Sequence, residues 1–277
     1  MRDVLGSKSK VSRQLYEQVL LNADEVYGAE YVPMLVLKNG VILTRDGGFN
    51  EVDSLVYLKS RGWKITVWSE NILLDGRNVM FEARGDGSGD VWGVRSIIED
   101  GEYRDLLPVR GKNVLDIGAC SGDSTVWFAI QGAKKVLAVE ADKESAWLAQ
   151  RNVGHNRLKS VYVLHRAVAK EGNSKVGLQR GSNPGMYKTV PGAEVETISL
   201  NELLDFFDGE PVVLKMDVEG AEAAVVEGLD IAHAGQIERG IMEEHADMHS
   251  RLRKLGLGGL FKFGVAPEAI NTVSSLG

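Results

Sequence analysis

Residues 112–142 read KNVLDIGACSGDSTVWFAIQGAKKVLAVEAD. An apolar run through Val114 and Ile117 breaks at Gly118 and Gly122 and gives way to DSTVWFAIQG, which reads as a helix closed by Gly132. A second apolar run, KVLAVE, follows, and Asp142 stands at the N-cap position of a second helix, DKESAWLAQRNVGHN. Strand, glycine turn, helix, strand, helix is the start of a parallel sheet, because parallel neighbours need a crossover between them.

The alternation continues downstream. SVYVLH (160–165) is a third strand, and SLNELLDFF (199–207) opens with Ser199 and Glu202 in capping-box spacing. PVVLKMD (211–217) is a fourth strand, GAEAAVVEGL (220–229) a helix ending at Gly228, and ERGIMEEH (238–245) a fifth strand. ADMHSRLRKLG (246–256) is a further helix, and LFKFG and INTVSS suggest two more short strands. The fold class is α/β, a Rossmann-like, mostly parallel, doubly wound sheet. Residues 170–193, rich in Gly, Ser and Pro, read either as a hairpin excursion or as a lid.

Upstream the character differs. SRQLYEQVLLNADEVYG (12–28) has helical spacing at Leu15, Val19 and Val26, and MLVLKNGVILTRDGG (34–48) looks like two strands joined at Asn39–Gly40. EVDSLVYLKSRG returns to helix, WKITVWSENILLDGRNVMFEA reads as strands turning at Asp75–Gly76, and RGDGSGD (84–90) is a loop. The expected division is an α+β accessory region over residues 1–105 and a ligand-binding domain over 106–277.

Ligands of doubly wound sheets sit beyond the carboxyl ends of the strands. That rule selects 116–124, 140–142, 165–167, 217–222 and 244–245. A dinucleotide turn reads G-x-G-x-x-G, but here Cys120 holds the second glycine position and Asp123 the third. Both would crowd a pyrophosphate, and Asp123 would repel it, so NAD is disfavoured. No Gly-Lys-Ser/Thr follows, which excludes a P-loop. S-adenosylmethionine fits better, having no phosphates and a cationic amino-acid end. Asp116 is placed to face that ammonium, Gly118, Ala119, Cys120, Ser121, Gly122 and Ser124 form the cradle, and Glu140 is placed for the ribose hydroxyls. Ala141, Asp142, Arg166 and Ala167 follow the neighbouring strands and complete the candidate set.

The 277 residues carry a net charge of −7, which argues against a general nucleic-acid binder. One cysteine, Cys120, rules out an internal disulfide and a cysteine zinc site, so a reducing, cytoplasmic location is expected. The first sixteen residues hold no signal-peptide core, and no apolar run is long enough to span a bilayer.

VLDIGACSGDSTVWFAIQGAKKVLAVEAD, HRAVA, VETISLNELL, VLKMDVEGAE and MEEH resemble the FkbM-type methyltransferases, S-adenosylmethionine-dependent enzymes with the class I methyltransferase fold. The resemblance spans about residues 99–250, and KMDVEGAE is its most specific part. It implies O-methylation of a hydroxyl on a sugar or other small metabolite, and it places Tyr103, in GEYRDLL, just ahead of the cofactor domain. It also puts Asp217 and Glu219 of DVEG at the active site, Asp217 beside the cofactor as well as the acceptor. Two carboxylates this close suit orienting a hydroxyl or binding Mg²⁺; no metal is assigned. Glu244 and His245 end the fifth strand, and His245 is the expected base for a hydroxyl proton. His249 lies four residues on, but zinc is not favoured. Lys215 interrupts an apolar strand, either to neutralise a neighbouring carboxylate or to snorkel. Rival readings are an RNA methyltransferase, using Lys8, Lys10, Arg13, Lys59, Arg61 and Lys64, and a non-catalytic cofactor-binding scaffold.

Overall fold

The computed structural model describes residues 23–29, 32–37, 42–44, 51–68, 71–85, 88–181, 187–243 and 249–264. The chain divides into two compact units, and their main boundary falls between Glu102 and Tyr103.

The first unit holds two small antiparallel sheets. Strands β1 (Ala23–Ala29), β2 (Val32–Leu37) and β3 (Ile42–Thr44) form one, and β4 (Lys64–Trp68), β5 (Asn71–Gly76) and β6 (Val79–Arg84) the other. Helix α1 (Glu51–Ser60) lies between them in sequence. Helix α2 (Asp90–Val94) runs into a π-helical turn, Arg95–Asp100. The helical spacing read over 12–28 fails in its second part. Residues 23–29 pair with β2 instead, from Ala23 opposite Leu37 to Ala29 opposite Val32. Three apolar positions are a weak helical signal, and Val26 and Tyr27 suit a pleated surface once a partner strand exists. Residues 12–22 and the Asn39–Gly40 turn lie outside the described residues.

The second hairpin also turns later than its Asp75–Gly76 pair suggested. Its corner is Arg77–Asn78, at φ 54° and 63°. Gly76 lies within β5, where any Cβ would meet the Trp63 indole at 2.4 Å. Packing, and not the turn, demands this glycine. Glu99 then ties the unit together. Its Oε1 accepts from Trp63 Nε1 at 2.8 Å and Arg77 Nε at 2.7 Å, and its Oε2 accepts from Arg61 Nε at 3.2 Å.

In the second unit a 3₁₀ turn, Arg104–Leu106, leads into β7 (Asn113–Ile117). Then come α3 (Asp123–Ile130), β8 (Lys135–Glu140), α4 (Lys143–His155) and β9 (Val161–His165). Strands β10 (Ala167–Ala169), β11 (Lys175–Arg180) and β12 (Tyr187–Ser199) form a side sheet in the order β10-β12-β11. Strands β11 and β12 pair antiparallel, as in the hairpin reading of that segment. The chain continues through α5 (Leu200–Asp205), β13 (Val212–Met216), α6 (Glu222–Gly228), α7 (Ile231–Ala234), β14 (Ile237–Glu243), α8 (His249–Lys254) and β15 (Phe261–Gly264). Residues 270–275, read as a last strand, lie outside the described residues.

The main sheet has six strands in the order β15-β14-β13-β7-β8-β9, all parallel. The chain builds outward from β7 on one side, then returns to place β13 against its other edge. The switch point thus lies between β7 and β13, where doubly wound sheets bind their ligands. Every residue of those two strands is buried, which explains their nearly continuous apolar sequences. On one face Leu115, Ile117, Leu214 and Met216 pack with Leu203 and Leu204 of α5 and Val225 and Val226 of α6. The alternate residues Val114, Val136 and Ala138 are buried on the other face, where α3 and α4 lie. Two caps read from sequence form as drawn. Asp142 accepts from Ser145 N at 2.8 Å, and Ser199 and Glu202 make a reciprocal box. No helix among the described residues is long and apolar enough to cross a membrane.

Burial would raise the Glu99 pKa, but the donors Arg77, Trp63 and Arg61 outweigh it and hold the carboxyl down at about 2. A carboxylate depressed on folding stabilises above its ordinary pKa of 4.5, and the gain is lost as pH falls through its folded value. Glu99→Gln should therefore cost about 1–2 kcal/mol at pH 7 in urea unfolding, with both arginines partly open to water. The difference should shrink towards zero between pH 4.5 and about 2.

Candidate active site

The turn after β7 is shaped by its protein neighbours first. Gly118 (φ 75°) lies so close to β13 that a Cβ would stand 1.7 Å from the Asp217 carbonyl oxygen. Gly122 (φ 83°) sits against α4, where a Cβ would be 2.9 Å from Ala149 Cα. Between them Cys120 holds φ 45°. Asn152 of α4, fully buried, donates to the Ser121 carbonyl at 2.9 Å. Ala119, Ser121 and Gly122 are buried, so Gly118 and Cys120 are the partly exposed members of the turn.

Asp116 is fully buried. Its Oδ2 accepts from Ser124 Oγ at 2.7 Å and Thr125 Oγ1 at 2.6 Å, and its Oδ1 lies 3.4 Å from Lys215 Nζ. It therefore faces α3 and Lys215, and its Oδ1 has no hydrogen-bond partner among the described residues. Of the two sequence readings of Lys215, neutralisation holds: its side chain is only 3% exposed. Burial would lower its pKa, but Asp116, Asp217 and Asp123 outweigh it and the ammonium is held firmly protonated. Tyr103, buried against Phe128, has its ring centroid 5.8 Å from Lys215 Nζ.

Glu140 bridges the two loops on this side. One oxygen accepts from Cys120 N at 2.8 Å, the other from Asp142 N at 2.8 Å. Burial pushes its carboxyl up, against the lowering effect of those two N–H groups. Each oxygen keeps acceptor capacity, and so desolvated a carboxylate gains from every further hydroxyl donor. Ala141 accepts from His165 or faces its Nε2 at 3.0 Å, Arg166 pairs with Glu196 at 2.8 Å, and Ala167 is buried.

Across the switch point the site is acidic. Asp217 follows β13, Glu219 stands two residues on at φ 54°, and Glu243 ends β14. All three are half-buried, and one carboxylate oxygen from each lies within 4.8 Å of the others. Asp217 Oδ1 is shielded from water and has no hydrogen-bond partner among the described residues. Buried Glu222 shapes the DVEG loop by accepting from Val218 N at 3.1 Å and Gly220 N at 3.3 Å. Burial, then the hydrogen bond and charge of Asp217, push the Glu243 carboxyl up to about 9. The spacing of the three would also suit a divalent cation.

Sequence reasoning missed Glu243 because it read the strand through to His245 and took Glu244 and His245 as its functional end. Those two residues lie outside the described residues, as does the side chain of His249. His233, left without a role, is held by Asp230 at 2.8 Å and Asp205 at 3.1 Å, away from the site residues in sequence and element.

The donor set agrees with one cofactor and not the other. Glu140 and Asp123 flank the turn, and the Lys215 charge is matched by Asp116, so a pyrophosphate would meet net negative charge. A cationic ligand carrying ribose hydroxyls meets acceptors. The sequence profile of the family described as the methyltransferase FkbM domain matches residues 116–256. The chain belongs to the FkbM methyltransferase family. The matched region is described as a methyltransferase domain.

No curated protein matches the FkbM chain. Solved structures similar to it include one described as a SAM-dependent methyltransferase from Streptococcus mutans, 13% identical with a TM-score of 0.38 over 70% of this chain and 47% of that one. Another is the SAM-dependent methyltransferase from Agrobacterium tumefaciens, 14% identical with a TM-score of 0.39 over 72% and 61%. A third, from Aquifex aeolicus, is 13% identical with a TM-score of 0.31 over 58% and 82%. The chain thus spans about half the length of the first of these.

A carboxyl whose pKa rises on folding adds stability that is complete below its ordinary value of 4.5 and lost as pH climbs through about 9. Glu243→Gln keeps a donor and cannot ionise. Its thermal midpoint should match the wild type near pH 5 and exceed it by a few degrees near pH 9, as read by calorimetric scans across that range.

Proposed function

We propose that the chain transfers a methyl group from S-adenosylmethionine to a hydroxyl of a sugar or other small metabolite. The observation that supports this best is the meeting at one switch point of the glycine turn and Glu140 with the carboxylates of Asp217, Glu219 and Glu243. In this reading Gly118 and Cys120 line the cofactor, with Ala119, Ser121, Gly122 and Ser124 supporting them from below. Glu140 accepts from the ribose hydroxyls, and Ala141, Asp142, Arg166, Ala167 and Tyr103 complete the surround. The cofactor, when bound, supplies an electrophilic methyl group.

The protein's part is alignment and proton acceptance. Asp217 orients the acceptor hydroxyl, Glu219 bounds the acceptor side, and Glu243 holds Asp217 by their shared hydrogen bond. His245, or Glu244 beside it, takes the proton. Carboxylates on the acceptor side favour neutral or cationic acceptors over phosphates, which speaks against the RNA reading. Residues 1–105 serve as the accessory region of a methyltransferase domain over 106–277.

Calorimetry should show binding of S-adenosylmethionine and S-adenosylhomocysteine and none of NAD; NAD binding alone would end this reading. Glu140→Ala should weaken the cofactor by about 1.5–3 kcal/mol, the loss of hydrogen bonds to a charged group. Asp217→Asn and His245→Ala should leave cofactor affinity nearly unchanged while methyl transfer to the acceptor falls, about 10²-fold or more for His245→Ala. Loss of cofactor binding in both would move these residues into the cofactor pocket.

A further inference from the structure

A lysine in the middle of a fully buried strand needs a reason. Removing an ammonium from water costs several kcal/mol unless it is paired and hydrogen-bonded, and an apolar residue would serve the core at least as well. Strand register places Lys215 of β13 directly opposite Asp116 of β7. Its ammonium lies 3.4 Å from Asp116 Oδ1 and donates to the Gly118 carbonyl at 2.6 Å. The Ile117 carbonyl is a longer contact at 3.4 Å. Gly118 is the first residue of the glycine turn. Asp116, through Ser124 and Thr125, holds the first turn of α3 just beyond that turn. One ammonium therefore grips both flanks of the turn. It does so from the strand whose next residues lead to Asp217.

We infer that Lys215 is a positioning residue for the methyltransferase reaction: with Asp116 as its counterion, it fixes the turn on which the cofactor rests by hydrogen bonding the Gly118 carbonyl. The inference rests on the reading of that turn as the cofactor cradle. It separates two jobs that the pair performs. Neutralising Asp116 is structural and needs only charge balance. Holding Gly118 needs a donor at the position of the Lys215 ammonium. Gly118 and Cys120 are the partly exposed members of the turn, so displacement of the Gly118 carbonyl alters the surface presented to the cofactor.

Replacing Lys215 alone would leave a buried, unpaired carboxylate, so the test keeps the site neutral. Two full-length double variants are compared with the wild type: Asp116→Asn with Lys215→Met, which has no donor, and Asp116→Asn with Lys215→Gln, which keeps one. S-adenosylhomocysteine is titrated calorimetrically, and thermal unfolding reports the fold. The methionine variant should bind about tenfold or more weakly, as for loss of a charged hydrogen bond. The glutamine variant should recover much of that loss at similar stability. Equal, near-native affinity in both variants overturns the inference and leaves Lys215 as a counterion only.

If the methionine variant does not fold, the wild type decides. Lysine side chains are labelled with ¹⁵N, and the buried, slowly exchanging ammonium resonance is followed. It should shift on saturation with S-adenosylhomocysteine; an unmoved resonance overturns the inference. A wild-type chain that fails to bind S-adenosylhomocysteine overturns the reading of the turn itself. That outcome is distinct from a wild type that binds and variants that bind equally well.

Discussion

The contact between β13 and the turn after β7 is the constraint on which the site depends. Gly118 approaches the Asp217 carbonyl so closely that no side chain fits, and Lys215 donates to the Gly118 carbonyl from the same strand. The two strands flank the switch point of the sheet. Locking them together sets the glycine turn, on one side, against the residue that opens the acidic side, on the other. A cofactor and an acceptor that must meet in line tolerate little relative movement, so this junction matters more than any one hydrogen bond within either half.

Electrostatics divide along the same line. On the β7 side the charges cancel: Asp116 faces Lys215, and its second oxygen is taken by two hydroxyls of α3. On the β13–β14 side they do not. Asp217, Glu219 and Glu243 crowd together, and one of them answers by holding a proton to about pH 9. Desolvated carboxylates that share a proton can both donate and accept hydrogen bonds. The N-terminal unit has its own lock at Glu99, where one carboxylate gathers two guanidinium groups and an indole.

Most of the methyltransferase domain was legible in the sequence. The strand–turn–helix pattern, the Asp142 cap, the Ser199–Glu202 box and the succession of the six strands of the main sheet along the chain follow from local periodicity and capping chemistry, whereas β10 to β12 were not read as three strands. The N-terminal unit was less legible. The stretch around Val26 had helical spacing but became a strand once Val32–Leu37 stood beside it, and the second hairpin corner slipped from Asp75–Gly76 to Arg77–Asn78. At the site, the strand was read through to His245, and attention to Glu244 and His245 passed over Glu243.

The sequence by itself determined the fold class and the place of the glycine turn, because apolar period, glycine turns and helix caps act over a few residues; the family was carried by the resemblance of motifs such as KMDVEGAE. Only the tertiary structure decided what the polar residues do there. Lys215 and Gly118 are 97 positions apart, and their meeting is set by the register of two parallel strands. Asp116 is bound on one oxygen by two hydroxyls of α3 and has Lys215 beside the other. Gly122 looked like room for a ligand and is room for α4. Glu243 went unread in the sequence, and burial and Asp217 push its carboxyl up. Each of these outcomes depends on which distant group lies within a few ångströms, and local periodicity does not specify contacts between distant parts of the chain.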